Sequence, residues 1–244
     1  MTKTIQQLDF DMFIPQYRHT IGQGVPIMLL HGWGGSKDSW IALERQLIGF
    51  GHTVITVDFA GFGDTPEPCP SWGIYEYAQS IKLLMDQLGY SQYNIVGHSF
   101  GGRVCILLGS DNRVSRMILC NAAGIRPRRS VKYYIKVWSY KLKKKLNMST
   151  AGSGSTDYKN LSDNMRSVFV RVVNQHLHGH LKDVTASTLI VWGDKDSTTP
   201  LYMGKTLHKS IKGSGLIVLK DAGHYSYMEY GDKFCAIVRS FFDD

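Results

Sequence analysis

The stretch "YNIVGHSFGGRV", residues 93–104, decides the reading of this chain. Tyr93 to Val96 are mostly apolar or β-favouring, and they run straight into Gly97-His98-Ser99-Phe100-Gly101-Gly102. An apolar helical pattern follows. A buried strand that becomes a helix around one serine between glycines matches G-x-S-x-G, in which a strained turn exposes the serine hydroxyl. Side chains at 97 and 101 would collide in so sharp a turn, so glycine is required at both. The helix that starts there leaves its first N–H groups without intrahelical partners, aimed at the same point. A glycine-rich turn with a bystander serine is the competing reading of the pentapeptide alone.

Outward from this junction, short apolar runs alternate with helical patterns. Residues 26–30, 53–58, 93–97, 116–120, 188–193 and 215–220 read as strands, each mostly continuous in apolar character and bounded by Gly, Asp or Asn. That continuity suits a parallel sheet buried on both faces. Residues 36–50, 74–89, 100–109, 202–211 and 232–242 read as helices. The alternation predicts the α/β class, with a mostly parallel, doubly wound sheet. Residues 1–25 are expected to add an antiparallel edge hairpin.

The pattern breaks between residues 120 and 188. Within that gap, 130–146 presents Val131, Tyr134, Ile135, Trp138, Leu142 and Leu146 on one helical face. Residues 147–156 read as a small-residue loop, and 161–177 as a second helix capped by Ser162 or Asp163. The expected organisation is a core of residues 1–123 and 183–244, with a helical lid, residues 124–182, inserted between two strands.

A serine hydroxyl is a poor nucleophile without a base, and the base needs an orienting acid. For a serine on such a turn the chain order is serine, acid, histidine. Asp194-Lys195-Asp196 follows the strand at 188–193, and Asp221-Ala222-Gly223-His224 follows the one at 215–220. Both segments lie at C-terminal strand ends, where open α/β sheets gather reactive groups. The candidate catalytic residues are Ser99 as nucleophile, His224 as base and Asp196 as acid. Asp194 stays open as an alternative acid, but Asp196 lies two residues further out and is better able to reach back. "LLHGWGGS", residues 29–36, supplies a glycine-rich loop whose backbone can aim N–H groups inward. The backbone N–H groups of Trp33 and Phe100 are the expected oxyanion donors. Their side chains can equally serve as apolar walls of the pocket.

Taken together, HGWGGS at 31–36, VDFAGFGDT at 57–65, GHSFGG at 97–102, WGDKDSTTP at 192–200 and AGHYSYME at 222–229 resemble the α/β-hydrolase superfamily. The chain is similar to its lidded branch of small esterases and C–C bond hydrolases. The resemblance spans nearly the whole core and implies Ser99, Asp196 and His224 as the triad, with the lid shaping the pocket. Ala60 and Thr65 depart from the family's usual proline or arginine and serine in the loop after the third strand. The expected reaction is cleavage of small or medium carboxylic esters through an acyl-enzyme. Cleavage of a C–C bond in a diketone-like acid is the alternative. A low-turnover ligand-binding protein and an acyltransferase are the rivals from other classes.

Composition sets the remaining bounds. With 244 residues, 43% of them hydrophobic, the chain can bury a proper core. The opening MTKTIQQLDF lacks the apolar run of a signal peptide, and no stretch reaches the length of a membrane span. Cys69, Cys105, Cys120 and Cys235 form no C-x-x-C pair, so free thiols and a cytoplasmic setting are expected.

The net charge of +8 is concentrated in residues 124–182, where acidic residues are scarce. That segment reads as a solvated surface, as a positive rim for carboxylate- or phosphate-bearing substrates, or as a weak contact with an anionic membrane through Lys132, Lys136 and Lys143 to Lys145. Nucleic acid is not an expected partner, since no recognised binding module accompanies the charge. His176-x-His178-x-His180 lacks a completing Cys or carboxylate. MGKT at 203–206 and GFGDTP at 61–66 each lack a glycine that their phosphate- or dinucleotide-binding motif needs. No metal and no cofactor are expected, and the partner is a small-molecule ester or keto-acid substrate.

Overall fold

The computed structural model describes residues 14–128 and 160–243. Among the described residues, seven strands form one sheet: β1 (Gln16–Thr20), β2 (Gln23–Leu30), β3 (His52–Asp58), β4 (Tyr93–His98), β5 (Val114–Cys120), β6 (Ser187–Gly193) and β7 (Gly215–Leu219). The helices are α1 (Ile41–Gly49), α2 (Ile74–Gln87), α3 (Phe100–Leu108), α4 (Asp163–Asn174), α5 (Tyr202–Ser210), α6 (Ser226–Glu229) and α7 (Gly231–Asp243). The strand order is β1-β3-β2-β4-β5-β6-β7. All neighbours are parallel except β1, which runs antiparallel to β3. This is the expected α/β architecture.

The N-terminal edge differs from the expected hairpin. β1 and β2 are joined by only Ile21 and Gly22, yet they do not pair with each other. Both flank β3, with Gln16 opposite Asp58 and Thr20 opposite Val54 on one side. The link passes beneath the start of β3, where Gly22 N–H donates to Thr53 Oγ1 (3.0 Å) and Gln23 N–H to the Gly51 carbonyl (2.7 Å). Those two bonds hold the chain as it crosses the start of β3 from one side to the other. The rest of that expectation, residues 1–13, lies outside the described residues.

The continuous apolar runs are explained by burial on both faces of the sheet. Successive residues alternate sides, so Ile27 and Leu29 join Val54, Val96, Ile118 and Val191 beneath α1 and α7. Met28 and Leu30 join Ile55, Val57 and Ile95 beneath the helices of the other face. Trp40, Trp192, Tyr77 and Phe59 are fully buried. Withdrawing one such side chain from water contributes roughly 1.5–3 kcal/mol.

Helix α4 starts where Ser162 Oγ accepts from Met165 N–H (3.1 Å), so Ser162 rather than Asp163 is the cap. Its apolar face, Met165, Val168 and Val172, packs into the core. Its far end is held by Arg103 of α3, whose buried guanidinium donates to the carbonyls of Val172 (3.0 Å) and Gln175 (2.7 Å). A cation at a helix C-terminus complements the unpaired carbonyls there. The amphipathic segment 130–146 and the loop 147–156 lie outside the described residues, and with them the basic stretch from Lys132 to Lys145. Among the described residues, no helix is long and apolar enough to cross a membrane.

Candidate active site

Because β4, β5, β6 and β7 are parallel, the loops that leave them emerge at one edge of the sheet. Ser99 follows β4 directly with φ 50° and ψ −106°, a conformation that favours glycine and costs on the order of 1–3 kcal/mol for serine. The surroundings hold it there. Ser99 N–H donates to the Cys120 carbonyl (3.1 Å), and the Ser99 carbonyl accepts from Ala123 N–H (2.9 Å). The flanking glycines have distinct reasons. A Cβ on Gly97 would sit 2.6 Å from the Gly101 carbonyl oxygen, within the turn itself. A Cβ on Gly101 would sit 2.2 Å from the Leu30 carbonyl oxygen, on the adjacent strand β2.

Three distant side chains meet at this edge. Ser99 Oγ lies 3.1 Å from His224 Nε2, and His224 Nδ1 lies 2.8 Å from Asp196 Oδ2. Asp196 is itself saturated. Its Oδ1 accepts from the N–H groups of Thr198 (2.8 Å) and Thr199 (2.9 Å), and its Oδ2 also accepts from Asn121 Nδ2 and Thr199 Oγ1 (2.6 Å each). Burial alone would raise this carboxyl. The hydrogen bonds from His224, Thr199 and Asn121 outweigh burial and hold it at about 2, below its ordinary 3.8. An anionic Asp196 fixes the proton of His224 on Nδ1 and leaves the Nε2 lone pair facing the serine hydroxyl. Such an arrangement can take the proton from an attacking oxygen and return it to a departing one. Asp194 is engaged elsewhere: its Oδ1 accepts from Asp221 N–H (2.7 Å).

Sequence reasoning passed over Asn121, Thr198, Thr199 and Ser226 in this network. Asn121, just past β5 with φ 44°, ties the acid loop to the histidine loop: Nδ2 donates to Asp196 Oδ2 and to the Gly223 carbonyl (3.2 Å). Its Oδ1 accepts from Ser226 Oγ (2.5 Å), and Thr199 Oγ1 lies 3.0 Å from its carbonyl. The available signal was a polar residue at the C-terminal end of a buried strand, in "CNAAG" at 120–124.

The two flanking histidines are neutral braces. His31 donates from Nδ1 to the Gly32 carbonyl (2.7 Å) and accepts at Nε2 from Phe59 N–H (3.0 Å), and burial pushes it down to about 4. His98 donates from Nε2 to the carbonyl of His224 (2.9 Å); burial, then the nearby His224, push it down to about 3.

Trp33 lies in the loop after β2 and lines a cavity of about 250 Å³ together with Ser99 and His224. Its ring meets Phe62 (4.9 Å between centroids), Phe100 (5.3 Å) and Phe169 of α4 (5.0 Å). Phe100 is the first residue of α3, so its N–H belongs to the unpaired first turn of that helix. Of the histidine run, His180 Nε2 meets Tyr75 Oη at 2.9 Å.

A family model described as the alpha/beta hydrolase fold matches residues 25–133, and a second, described as TAP-like protein, matches 169–244. The chain belongs to the α/β-hydrolase superfamily. One relative, 2-hydroxy-6-oxononadienedioate/2-hydroxy-6-oxononatrienedioate hydrolase 1 of Dechloromonas aromatica, is 25% identical over 98% of this chain and 94% of its own length. Among solved structures, an esterase of Exiguobacterium antarcticum superposes with a TM-score of 0.77 at 22% identity, covering 95% of this chain and 98% of the esterase. A meta-cleavage product hydrolase of Pseudomonas fluorescens IP01 superposes with a TM-score of 0.72 at 23% identity, covering 95% and 96%. This α/β hydrolase thus shares its fold with enzymes of more than one reaction type, and fold alone does not choose between them.

Proposed function

We propose that the protein is a serine hydrolase that cleaves small or medium carboxylic esters through an acyl-enzyme. Ser99 Oγ attacks the ester carbonyl as its proton passes to His224 Nε2, while Asp196 orients the imidazole and stabilises its charged form. The N–H groups of Trp33 and Phe100 receive the developing oxyanion. His224 returns the proton to the departing alkoxide, which leaves as the alcohol. Water, deprotonated by His224, then attacks the acyl-enzyme, releasing the carboxylic acid and restoring Ser99. Residues 124–182 act as the cap, a role supported by the contact of Phe169 with Trp33. The observation that carries the reading is the unbroken hydrogen-bonded chain from Ser99 Oγ through His224 to Asp196.

A fluorophosphonate probe tests it. The expected result is labelling at Ser99 and ester turnover, both abolished in Ser99→Ala. Turnover that survives Ser99→Ala would refute the assignment.

C–C bond hydrolysis is the second reading, favoured by the name of the Dechloromonas relative. A dioate substrate needs cations to hold its carboxylates, and the described residues lining the cavity beside Ser99 include no Lys or Arg. Offering a 2-hydroxy-6-oxo-dienedioate and a neutral aryl ester side by side separates the two. Faster turnover of the ester is expected.

A further inference from the structure

The cavity beside Ser99 lies between two loops. One wall is made by residues 32–35 with Ser39, whose Oγ accepts from Ser36 N–H (3.2 Å); the other is made by His98, Tyr225, Tyr227 and Met228, and Ser99 and His224 complete the described lining around the reacting atoms. Its size is informative. A cavity of about 150 Å³ accommodates benzene, whereas pockets for whole ligands run roughly 300–1,000 Å³. At about 250 Å³ this one has room for an aryl or medium alkyl group and falls below the range for larger whole ligands.

Proton transfer says which part. The group that protonates a leaving oxygen must lie within hydrogen-bond reach of it, so the leaving group sits on the side of His224. One wall of this cavity is formed by the histidine loop and the residues that follow it, His224, Tyr225, Tyr227 and Met228. The acyl group is left the opposite side of Trp33, where Phe62, Phe100 and Phe169 gather.

The chemistry of the lining narrows the ligand. Among the described lining residues there is no Lys, Arg, Asp or Glu. His98 is uncharged, and its Nε2–H is already committed to the His224 carbonyl. Tyr227 is a fixed floor, packed on Trp40 at 4.3 Å between centroids. Tyr225 and Met228 form the rim, 52% and 60% exposed, with the Tyr225 ring 5.4 Å from that of His224. An exposed aromatic and a flexible thioether beside the proton donor offer apolar contact and an exit to solvent.

We propose that this cavity is the leaving-group subsite and that it selects uncharged, apolar alcohols of aryl or medium alkyl size, a proposal that rests on the serine-hydrolase reading above. Two ester series test it, one with a fixed acetyl group and methyl, butyl or aryl alcohols, the other with a fixed alcohol and lengthening acyl chains. Tyr225→Ala and Met228→Ala are each expected to lower kcat/KM for the aryl and butyl acetates about tenfold, and for methyl acetate by no more than about twofold. The acyl-chain profile keeps its shape. The rate of fluorophosphonate labelling at Ser99 reports whether each variant retains its catalytic geometry. Variants that shift the acyl profile and leave the alcohol profile alone would assign the cavity to the acyl group and overturn the proposal. A uniform loss across both series, or no change in either, overturns it as well. Absence of Ser99-dependent ester hydrolysis in the wild-type protein is a separate result: it removes the serine-hydrolase reading itself.

Discussion

Asp196→Asn asks whether the polarity of the hydrogen bonds around the acid controls the histidine. Oδ1 of Asp196 accepts two backbone N–H groups, from Thr198 and Thr199, that cannot turn away without rebuilding the loop. An asparagine that keeps those two bonds must place its carbonyl oxygen there. Its NH₂ group then faces His224 Nδ1 and Asn121 Nδ2. Donor would meet donor, so the imidazole gives up the proton on Nδ1 and carries it on Nε2, leaving no lone pair for the serine proton. In a well-studied Ser-His-Asp site this exchange lowers kcat about 10⁴-fold, which corresponds to roughly 5 kcal/mol of barrier.

A loss of that order is expected here, with KM changed by less than about threefold because substrate contacts are untouched. Steady-state hydrolysis of an aryl ester measures the rate, and nitrogen NMR of His224 reads the tautomer directly. Activity within about tenfold of wild type, or an unchanged tautomer, would refute the reasoning. Asp194→Asn is the control: Asp194 meets Asp221 N–H and not His224, so turnover stays within about threefold.

Three further outcomes follow from the same network and its supports. The folded-state carboxyl of Asp196 lies at about 2 against an ordinary 3.8, so its contribution to stability is fully present above that ordinary value and is lost as pH falls through about 2. The contribution is roughly 2 kcal/mol, and denaturant melts of Asp196→Asn should lack that part of the acid slope. Gly101→Ala forces a methyl against the Leu30 carbonyl; overpacking of about 1–3 kcal/mol should lower Tm by roughly 5–10 °C in calorimetry. Arg103→Met removes two charge-assisted bonds to the end of α4, partly offset by relief of burying a guanidinium that burial has pushed down to about 10. Amide exchange should quicken across residues 163–175 and not in β4; uniform exchange throughout would contradict the anchoring role of Arg103.

Much of the fold was legible because the strands are buried on both faces. A run such as "TLIVWG" at 188–193 has to be apolar throughout, and Gly, Asp or Asn marks where it ends. The strand-to-helix junction at Ser99 was legible for a similar reason, since few residues besides glycine fit beside so sharp a turn. What periodicity cannot carry is partner choice. The two-residue link after β1 has the length of a hairpin loop, yet the bonds to Gly51 and Thr53, with the ladders along each side of β3, place β1 and β2 on opposite sides of that strand.

By itself, then, the amino-acid order determined the class of architecture, the strands and helices of the core, and which loops leave the reactive edge of the sheet. These are local matters of burial, period and backbone sterics. The tertiary structure alone decided which aspartate reaches His224, and that Asn121 and Thr199 share its carboxylate. Those contacts join residues up to 75 positions apart, and they depend on how parallel strands bring separate loops together at ångström distances that no spacing in the chain encodes.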